Sequence, residues 1–442
     1  MSYLQDIKTK YSSKFVSAEE AVSVIKPNDR IYIHSGCAYP PTLIDAMVRR
    51  KDELYGVEIC HLMVFGDAPY MEPEMDKHFR HNGFFLGSNT RKYVNQGKAD
   101  FMPIFLSEIP SLIRHDKKHK VNVVLIQVSP PDSHGFCSLG VSVDCTKAAT
   151  EAADYVVAQI NPNMPRTHGD SFIHLSNISY AIEAETELVE LPNANKSKSP
   201  EEHVVYSQIG RHIAELVEDG ATLHMGIGAI PDAVLHHLEG HKHLGIHTEM
   251  LSDGIIPLIE KGIIDCSRKS LLPGKIVTSF VLGSKTLFAY IHNNPFIEMR
   301  PTEFVNDPFT IARNQKMTAI NSAIQVDITG QVCADSIGYM FFSGFGGQVD
   351  FIRGASRSVR GKPIIALPST AKKGELSRIV PHLDEGAGVT TSRGDVNFVV
   401  TEFGVVDLFG MNIRERVNAL IGIAHPKFRD ELSSFAKEKN YI

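Results

Sequence analysis

The chain has 442 residues, of which 43% are hydrophobic and 22% are charged, a composition typical of a globular protein with about two or three domains. Its formal net charge is −6, so the sequence lacks the positive charge that nucleic-acid binding requires. No apolar run reaches the ~18–20 residues of a membrane span, and the N-terminal residues lack the apolar core of a signal peptide. We therefore expect a cytoplasmic protein with neither a nucleic-acid nor a membrane partner.

Helical and strand patterns alternate through the first half of the chain. In "SAEEAVSVI" (17–25), Ser17 and Glu20 have the spacing of a helix-capping box. The strand-like run "RIYIHSG" and the helical run "PTLIDAMVRR" follow. The runs "VNVVLIQVS" (121–129) and "DYVVAQI" (154–160) are almost continuously apolar, as strands are when both faces of a parallel sheet are covered. This alternation predicts an α/β fold with mostly parallel sheets.

A polar stretch separates the two halves of the chain. The stretch is "LPNANKSKSPEEH" (191–203), and we predict an N-terminal domain of residues 1–195 and a C-terminal domain of residues 196–442. After it, "ATLHMGIGAIPDAVLHHL" (221–238) has the order strand, glycine-rich turn and helix. Further strands are predicted in "KIVTSFVLG", "TAINSAIQVDI", "PIIALPS" and "VNFVVTEFGVV".

The two predicted domains contain an internal repeat. "DRIYIHSGCAYPPTLI" and "DGATLHMGIGAIPDAV" align at a constant offset and share the same strand, turn and helix order. The identical pairs are Asp29 and Asp219, His34 and His224, Gly36 and Gly226, and Pro41 and Pro231. The repeat predicts two similar α/β domains. A second alignment, shifted by one residue, places Cys60 at the position of Glu249, which predicts that only the second domain carries a carboxylate there.

The glycine-rich turn "GIGAIP" (226–231) has three interpretations, together with Glu249 in the following run "HTEMLSDG". It can be a structural turn, with Glu249 as a solvated carboxylate. It can hold a dinucleotide, because Glu249 lies about 20 residues on, but Pro231 stands where GxGxxG has its third glycine. It can instead hold an acyl group, with free N–H groups of the turn on the carbonyl oxygen and Glu249 as nucleophile. The spacing alone does not choose between these interpretations.

The sequence does not predict a metal site. His237 and His241 have the i, i+4 spacing of a helical zinc pair, but the HExxH motif is missing and His241 follows Gly240, which ends the helical pattern. The six cysteines are scattered and form no CxxC pair, which disfavours structural zinc and a disulfide framework. We therefore expect no bound metal, and we expect Cys37 to be a buried structural cysteine.

A series of motifs, taken in order, resembles the acetyl-CoA hydrolase / 4-hydroxybutyrate CoA-transferase family. In the second half they are "GIGAIPDAV", "HTEMLSDG", "NSAIQVDITGQV", "FSGFGGQVDF", "LPSTAKKGELSRIVP" and "VVTEFGVVDL". In the first half, "SPPDSHGFCSLGVSVD" (129–144) is similar to the N-terminal domain of that family. The resemblance spans about residues 5–435, and it implies two similar α/β domains with the active site in the cleft between them.

The resemblance also implies the roles of individual residues. Glu249 matches the catalytic glutamate, which attacks an acyl-CoA thioester and becomes a covalent glutamyl-CoA thioester. The backbone N–H groups of Gly228 and Ala229 match the oxyanion donors, although alanine replaces a frequent glycine at 229. The residues implied to bind CoA are Gly226, Ile227, Gly228, Ala229, Ile230, Asn321, Gly344, Gly346, Gly347 and Lys372. Lys373 is the alternative to Lys372 as the cation that meets a CoA phosphate.

The implied activity is CoA transfer between a short-chain acyl-CoA and a small carboxylate such as acetate. 4-Hydroxybutyrate is the first choice of substrate, and butyryl-CoA:acetate CoA transfer is the next. Hydrolysis of acetyl-CoA or another short acyl-CoA stays open, because water can attack the same intermediates. A nucleotide-binding regulatory or redox protein also stays open. Coenzyme A is expected as a co-substrate without a metal or nicotinamide cofactor, and a homodimer is expected from the resemblance alone.

Overall fold

The fold is given by a computed structural model, which describes residues 7, 9–191 and 199–442. The α-helices that lie wholly within these ranges are α1 (Ala18–Ala21), α2 (Pro41–Arg49), α3 (Arg91–Asn95), α4 (Ile109–His115), α5 (Thr146–Ala152), α6 (Pro200–Leu216), α7 (Ala229–His237), α8 (Ile256–Glu260), α9 (Lys285–Ile291), α10 (Thr302–Val305), α11 (Pro308–Ala312), α12 (Gln348–Arg357), α13 (Ile413–Ile423) and α14 (Pro426–Glu438).

The strands alternate with these helices along the chain. They are β1 (Arg30–Ile33), β2 (Val57–Cys60), β3 (Phe79–Gly83), β4 (Asp100–Phe101), β5 (Val123–Val128), β6 (Phe136–Ser138), β7 (Tyr155–Ile160), β8 (Phe172–His174), β9 (Tyr180–Glu183), β10 (Thr222–Met225), β11 (Gly245–Leu251), β12 (Ile276–Val281), β13 (Ile297–Met299), β14 (Met317–Ser322), β15 (Gln325–Asp327), β16 (Val332–Cys333), β17 (Ser336–Ile337), β18 (Met340–Phe341), β19 (Lys362–Ala366), β20 (Thr370–Ala371), β21 (Leu376–Ser377), β22 (Ile379–Val380), β23 (Phe398–Thr401) and β24 (Gly404–Asp407).

Short polar signals determine where several helices begin. The Oγ of Ser17 accepts a hydrogen bond from the N–H of Glu20 at 3.1 Å, so α1 begins where the sequence predicts. A complete capping box between Ser199 and Glu202 starts α6. Helix α1 is shorter than predicted, because the chain changes to a 3-10 turn at Val22. The β-branched residues of that turn have low helix propensity, which explains the early end of the helix.

The chain divides into two compact units. The first unit contains Met1–Pro192 and Val277–Val305, and the second contains Asn193–Ile276 and Asn306–Ile442. The predicted domain boundary between residues 195 and 196 lies outside the residues that the structure describes. The division therefore differs from the predicted one chiefly in the placement of residues 277–305.

Residues 277–305 lie in the first unit because they bond to that unit's backbone. The N–H of Val281 donates to the carbonyl of Val141 at 2.8 Å, and the N–H of Asp170 donates to the carbonyl of Met299 at 2.8 Å. These partners are far apart in the sequence, so the local pattern that predicted a strand in "KIVTSFVLG" carried no information about its partner.

A seven-stranded parallel sheet forms the centre of the first unit. Its strand order is β4-β3-β2-β1-β5-β7-β9, and every neighbouring pair is parallel. Strand β5 is buried along its whole length, as its continuous apolar sequence predicted. On one face of the sheet, Leu43 and Ile44 of α2 join Ile31 and Ile33 of β1 in the hydrophobic core.

The second unit repeats this topology. Six of its strands are neighbours in the order β11-β10-β14-β19-β23-β24. The pairs from β11 to β23 are parallel, and β23 and β24 form an antiparallel hairpin. In both units the chain enters at a central strand, places the next strand on one side, and returns to the other side with β5 or β14. The prediction of two similar α/β domains with mostly parallel sheets is confirmed.

The strand register corrects one detail of the predicted repeat. Cys60 pairs with Tyr32 in the middle of β1, whereas the residue bridged to Gly36 is Val64. Glu249 lies beyond Ile246, the last residue of β11 that pairs with β10. Cys60 and Glu249 are therefore not at equivalent positions, and the alignment shifted by one residue is wrong.

The described residues lack two kinds of feature, a membrane-spanning helix and a metal-binding cluster. No helix among them is long and apolar enough to cross a membrane. In the same part of the chain, no group of three or more His, Cys, Asp or Glu side chains is placed to hold a metal ion. All six cysteines are buried free thiols.

Candidate active site

Glu249 is the one partly exposed residue of a strand whose other residues are buried. It lies near the carboxyl end of β11. The side-chain amide of Asn306 donates a hydrogen bond to the Glu249 carboxylate, with Nδ2 at 3.0 Å from Oε2. Asn306 is itself fully buried, so the amide is held in place by its surroundings. The contact fixes the orientation of a carboxylate that solvent and ligands can reach.

Gly347 lies directly against the same carboxylate. A Cβ added at Gly347 would collide with Oε2 of Glu249 and with Nδ2 of Asn306. Any side chain at this position would therefore displace the carboxylate or break its hydrogen bond. The structure brings together two residues that the sequence assigned to one site, Glu249 and Gly347, although they are distant in the chain.

The other two glycines of "SGFGGQVDF" have separate structural roles. Gly346 has a φ of +52°, a left-handed conformation that glycine adopts without strain. Gly344 is buried in the irregular segment that leads to this turn. The turn ends at Gly347, and α12 begins at the next residue, Gln348. The glycine cluster thus allows the chain to approach Glu249 closely before the helix starts.

The turn at residues 226–231 connects β10 to α7, as the sequence predicts. Gly228 precedes α7 and has a φ of +118°, which disfavours other residues. An added Cβ at Gly226 or Gly228 would meet no atom of the described residues within 4 Å, so the space beside both glycines is open. The first N–H groups of a helix have no partner within it, so Ala229 and Ile230 offer donors beside this space.

Beneath the turn, buried side chains connect β10 to β11. The Nδ1 of His224 lies 3.1 Å from the hydroxyl of Thr248, the residue before Glu249. The His224 ring stacks on Phe351 with 3.5 Å between ring centroids and 8° between planes. Burial lowers the pKa of His224 to about 3, against an opposing hydrogen bond with Asn321. The imidazole is therefore neutral at physiological pH and serves as rigid support.

Asn321 lies at the same edge of the sheet as the turn. It follows Ile320, which pairs with Met225 at the end of β10. The Nδ2 of Asn321 is buried and has no hydrogen-bond partner among the described residues. A buried donor without a partner costs about 1–3 kcal/mol, so a ligand carbonyl at this point would be bound favourably. This orphaned donor fits the amide-binding role that the resemblance implies for Asn321.

Lys372 and Lys373 lie in an exposed hairpin turn between β20 and β21. Their φ values are +48° and +56°, so both side chains project from a left-handed turn. The structure gives no contact between this hairpin and Glu249, Asn306 or Gly347 in the described residues. The CoA-phosphate role of Lys372 stays a prediction from the resemblance.

Asn306 is the site residue that the sequence analysis missed. It stands in "VNDPF", a run that predicts a turn and a helix start at Pro308. Asp307 takes the capping role, because its Oδ2 accepts a hydrogen bond from the N–H of Thr310 at 2.8 Å. Asn306 is left to face Glu249. The sequence shows two polar residues before a helix but not which of them points inward.

Two family models match the chain. They are the acetyl-CoA hydrolase/transferase N-terminal domain over residues 1–191 and the acetyl-CoA hydrolase/transferase C-terminal domain over residues 283–436. A 4-hydroxybutyrate coenzyme A transferase of Clostridium kluyveri is 51% identical over 97% of this chain and 98% of its own. A succinyl-CoA:acetate/propanoyl-CoA:succinate CoA transferase of Fasciola hepatica is 48% identical over 96% of this chain and 87% of its own.

Solved structures have the same fold over almost the whole chain. RipA from Yersinia pestis has a TM-score of 0.90 and 34% identity, covering 99% of this chain and 100% of that chain. A 4-hydroxybutyrate CoA-transferase from Porphyromonas gingivalis has a TM-score of 0.84 and 39% identity, covering 98% and 99%. These findings confirm the family that the ordered motifs predicted. The chain belongs to the acetyl-CoA hydrolase/transferase family.

Proposed function

We propose that this enzyme transfers CoA between a short-chain acyl-CoA and a small carboxylate such as acetate, with Glu249 as the nucleophile. The observation that carries the proposal is the Glu249 carboxylate, held by Asn306 against Gly347 at a partly exposed strand end. A nucleophile must be both fixed and accessible, and this carboxylate is both. Membership of the acetyl-CoA hydrolase/transferase family supports the same chemistry.

The first half-reaction moves CoA onto the enzyme. A carboxylate oxygen of Glu249 attacks the thioester carbonyl carbon, the C–S bond breaks, and CoA leaves as a thiolate. The product is an acyl-glutamyl anhydride. The thiolate then attacks the glutamyl carbonyl carbon of that anhydride, the C–O bond to the acyl group breaks, and the free carboxylate departs. A glutamyl-CoA thioester remains, and no proton is gained or lost.

The second half-reaction reverses these steps with a new acid. The acceptor carboxylate attacks the glutamyl thioester and releases CoA thiolate, which gives a second anhydride. The thiolate attacks the acceptor's carbonyl carbon, and Glu249 leaves as the free carboxylate. A carboxyl nucleophile suits this exchange because the anhydride and the glutamyl thioester both keep the activation of the original thioester.

Backbone donors of the glycine-rich turn would stabilise the negative oxygen formed in each attack. The N–H groups near Gly228 and Ala229 border the open space beside the turn. Losing one such donor typically costs about 10²–10³-fold in kcat. Ile227 and Ile230 would contribute backbone and apolar contacts to CoA from the same turn, and Asn321 would bind an amide carbonyl.

For the physiological acyl group, 4-hydroxybutyrate is the first choice. The reasons are the names of two similar proteins, the transferases of C. kluyveri and P. gingivalis. Butyrate is the next choice, since a butyryl-CoA:acetate CoA-transferase of Anaerostipes caccae is 34% identical over 98% of this chain. From the resemblance, we also propose that the protein is a homodimer and that it is cytoplasmic. Size-exclusion chromatography with light scattering would test the homodimer.

Hydrolysis of a short acyl-CoA is the second candidate activity. A 24%-identical relative in Neurospora crassa carries the name acetyl-CoA hydrolase. Measuring CoA release with and without acetate separates the two activities. A transferase releases CoA from acyl-CoA slowly when no acceptor acid is present. Release that is equally fast without acetate would contradict the transferase.

Chemical trapping tests the role of Glu249. The protein is incubated with acyl-CoA, reduced with borohydride, digested and examined by mass spectrometry. Reduction of a glutamyl thioester converts the Glu249 side chain to an alcohol, so the peptide that contains it changes mass only when acyl-CoA is present. Glu402, a half-buried glutamate at the end of β23, is the matched control and should keep its mass. Turnover that continues while Glu249 is unmodified would refute the nucleophilic role.

A further inference from the structure

A short hairpin with exposed apolar side chains precedes the glycine cluster of the candidate site. It consists of β17, β18 and the two-residue turn between them, residues 336–341, and we call it the apolar hairpin. Its exposed side chains are 44% to 75% accessible and are those of Ile337, Tyr339, Met340 and Phe341. A dense group of exposed apolar side chains marks a surface that contacts a ligand or another protein.

Ile337 and Met340 form one face of the apolar hairpin. They lie directly opposite each other in the antiparallel register, so their side chains project to the same side and are neighbours. β17 and β18 form a two-stranded sheet of their own, apart from the main sheet of the second unit. Nearly half of each of the two side chains is accessible, so this face is available to cover a ligand.

Hydrogen bonds hold the base and the tip of the apolar hairpin. At the base, the N–H of Phe342 donates to the carbonyl of Asp335 at 2.8 Å. At the tip, the hydroxyl of Tyr339 donates to Oε1 of Glu385 at 2.8 Å. The Tyr339 ring also lies against Gly386, where an added Cβ would collide with it. The orientation of the Ile337–Met340 face is therefore fixed at both ends of the hairpin.

The chain leads from the apolar hairpin directly to the Glu249 carboxylate. Gly347, which lies against Oε2 of Glu249, follows Phe341 by six residues. Six residues span at most about 20 Å, so the end of the hairpin lies close to the reacting group. Residues 336–347 contain no Asp, Glu, Lys or Arg. The segment beside the carboxylate thus combines exposed apolar surface with the absence of charged side chains that bind water.

We propose that the Ile337–Met340 face covers the bound acyl group and keeps water from the glutamyl-CoA thioester. Ile337 and Met340 are then specificity-determining residues for transfer over hydrolysis. An apolar wall gives a water molecule no hydrogen-bond partner, so an empty acceptor site beside this wall stays dry. The inference rests on the proposed function, because it assumes a thioester on Glu249.

The reaction that the apolar face prevents is the attack of water on the glutamyl thioester. The oxygen of water adds to the glutamyl carbonyl carbon, and the C–S bond breaks. CoA leaves as a thiol with one proton of the water, the other proton passes to solvent, and Glu249 regains its carboxylate. An acceptor carboxylate attacks the same carbon, so the loss of CoA to water depends on whether water reaches this point.

The test measures CoA release from acyl-CoA without an acceptor acid and CoA transfer to acetate. In the double variant Ile337→Ser, Met340→Ser, two hydroxyl groups can hold water beside the thioester. We expect CoA release without acceptor to rise about tenfold, a gain that loss of folded protein cannot produce. The ratio of hydrolysis to transfer should rise by at least the same factor.

Two further variants serve as controls. Ile337→Val, Met340→Leu keeps the face apolar, so hydrolysis should stay slow. Val359→Ser changes a residue of the second unit that is 64% exposed. The carbonyl of Val359 accepts a hydrogen bond from the N–H of Lys316, just before β14, so this residue lies at the opposite edge of the sheet from Glu249. Val359→Ser should therefore hydrolyse acyl-CoA as slowly as wild type.

Three results would overturn the inference while leaving the proposed function intact. The first is CoA release that does not rise in the serine double variant, and the second is an equal rise in either control. The third is a lower native mass of the serine double variant by light scattering, which would assign the face to a contact between two copies of the chain. A wild-type protein that releases CoA equally fast with and without acetate would instead refute the proposed function.

Discussion

The two units have the same glycine turn after the central strand of the sheet, but only the second turn is open. In the first unit Gly36 has a φ of +62°, is bridged to Val64, and would bring an added Cβ within 3.3 Å of Leu282. In the second unit the side chain of Ile227 is 41% exposed and the space beside Gly228 is empty. The shared topology produces the turn, and packing around it decides whether a ligand can reach it.

The histidine that precedes each turn shows the same contrast. In the first unit both ring nitrogens of His34 are used by the backbone: Nε2 donates to the carbonyl of Ser142 at 2.6 Å, and Nδ1 accepts from the N–H of Gln127 at 3.1 Å. In the second unit His224 stacks on Phe351 and contacts the strand that carries Glu249 through Thr248. His34 thus binds the backbone around the turn of the first unit, whereas His224 supports the strand that carries Glu249.

If the chemistry belongs to the second unit alone, Glu249→Ala should have the largest effect of any substitution. Removing the proposed nucleophile should lower kcat for CoA transfer by about 10⁴-fold or more, because the covalent intermediate of the proposed mechanism forms on this carboxylate. The measurement is the rate of acyl-CoA formation from acetate. Cys60→Ala is the control in the first unit and should stay within twofold of wild type. A loss smaller than tenfold in Glu249→Ala would show that the Glu249 carboxylate is not the group that makes the second unit the catalytic one.

Gly347→Ala should have the next largest effect. The new methyl group must displace the Glu249 carboxylate or the Asn306 amide, and a shift of about 1 Å in a reacting group can cost about 10²-fold in rate. We expect kcat to fall by about that factor while the protein stays folded. Gly240→Ala provides the matched control, since its added Cβ meets no described atom within 4 Å. Wild-type kcat in Gly347→Ala would show that the carboxylate is not fixed at this position.

Much of the fold could be predicted from the sequence because its signals are local. Continuous apolar runs identified β5 and β7, and Ser17 identified the start of α1. The repeated strand, turn and helix order around Gly36 and Gly226 predicted two similar sheets. The partner of the chain segment 277–305 could not be predicted, because strand pairing across a long sequence separation leaves no periodic signal in either segment.

The candidate site also contains one residue that the sequence could predict and contacts that it could not. Glu249 was identified because motifs from distant parts of the chain occur in a family-specific order, not because of its spacing from Gly226. The hydrogen bond from Asn306 and the close approach of Gly347 depend on side-chain direction and on packing between distant segments. Neither leaves a local pattern, so the sequence identified the glycine as part of a cluster and did not identify the asparagine.

Asn306→Ala tests how firmly the second unit must hold the Glu249 carboxylate for activity. Loss of the 3.0 Å hydrogen bond should let Glu249 rotate and should lower kcat about tenfold, with KM for acyl-CoA little changed. Asn306→Asp places a second carboxylate beside Glu249, so the loss should be greater than in Asn306→Ala. Steady-state kinetics on both variants give the answer. Equal rates in the two variants would show that electrostatics at this contact do not matter.

Alanine substitutions of the two turn glycines, Gly36 and Gly228, test whether only the turn of the second unit is open to a ligand. Both Gly36→Ala and Gly228→Ala place a side chain at a positive φ, so each should lower the free energy of unfolding by about 1–2 kcal/mol. Only Gly228→Ala should also raise the KM for acyl-CoA, because only that turn is open to a ligand. Urea unfolding and kinetics on the two proteins separate these effects. A rise in KM in Gly36→Ala alone would reverse the assignment of the two turns.

The amino ends of the central strands differ in charge. In the first unit Arg30, at the start of β1, forms an ion pair with Glu58 of β2 at 2.7 Å. In the second unit a carboxylate, Glu218, precedes β10 and contacts Lys362 at 2.8 Å, Lys316 at 3.4 Å and Arg360. The carboxylate at the start of β1 and β2 is thus paired with one arginine, whereas the carboxylate before β10 is shared by three cations.

Glu218→Gln should therefore have a small effect, but one with a distinct pH dependence. The hydrogen bond from Lys362, with the nearby cations, lowers the pKa of Glu218 below its ordinary value of 4.5, although partial burial opposes this. A carboxyl group whose pKa is lower in the folded state stabilises the fold above the unfolded pKa, and this stabilisation disappears as the pH falls through the folded value.

At pH 7 the variant Glu218→Gln should lose about 1 kcal/mol of unfolding free energy, and Glu58→Gln in the first unit should lose about half of that. Below about pH 4 the difference between wild type and Glu218→Gln should shrink towards zero. A difference that stays constant from pH 7 to pH 3 would show that the three cations do not stabilise the charged form of Glu218.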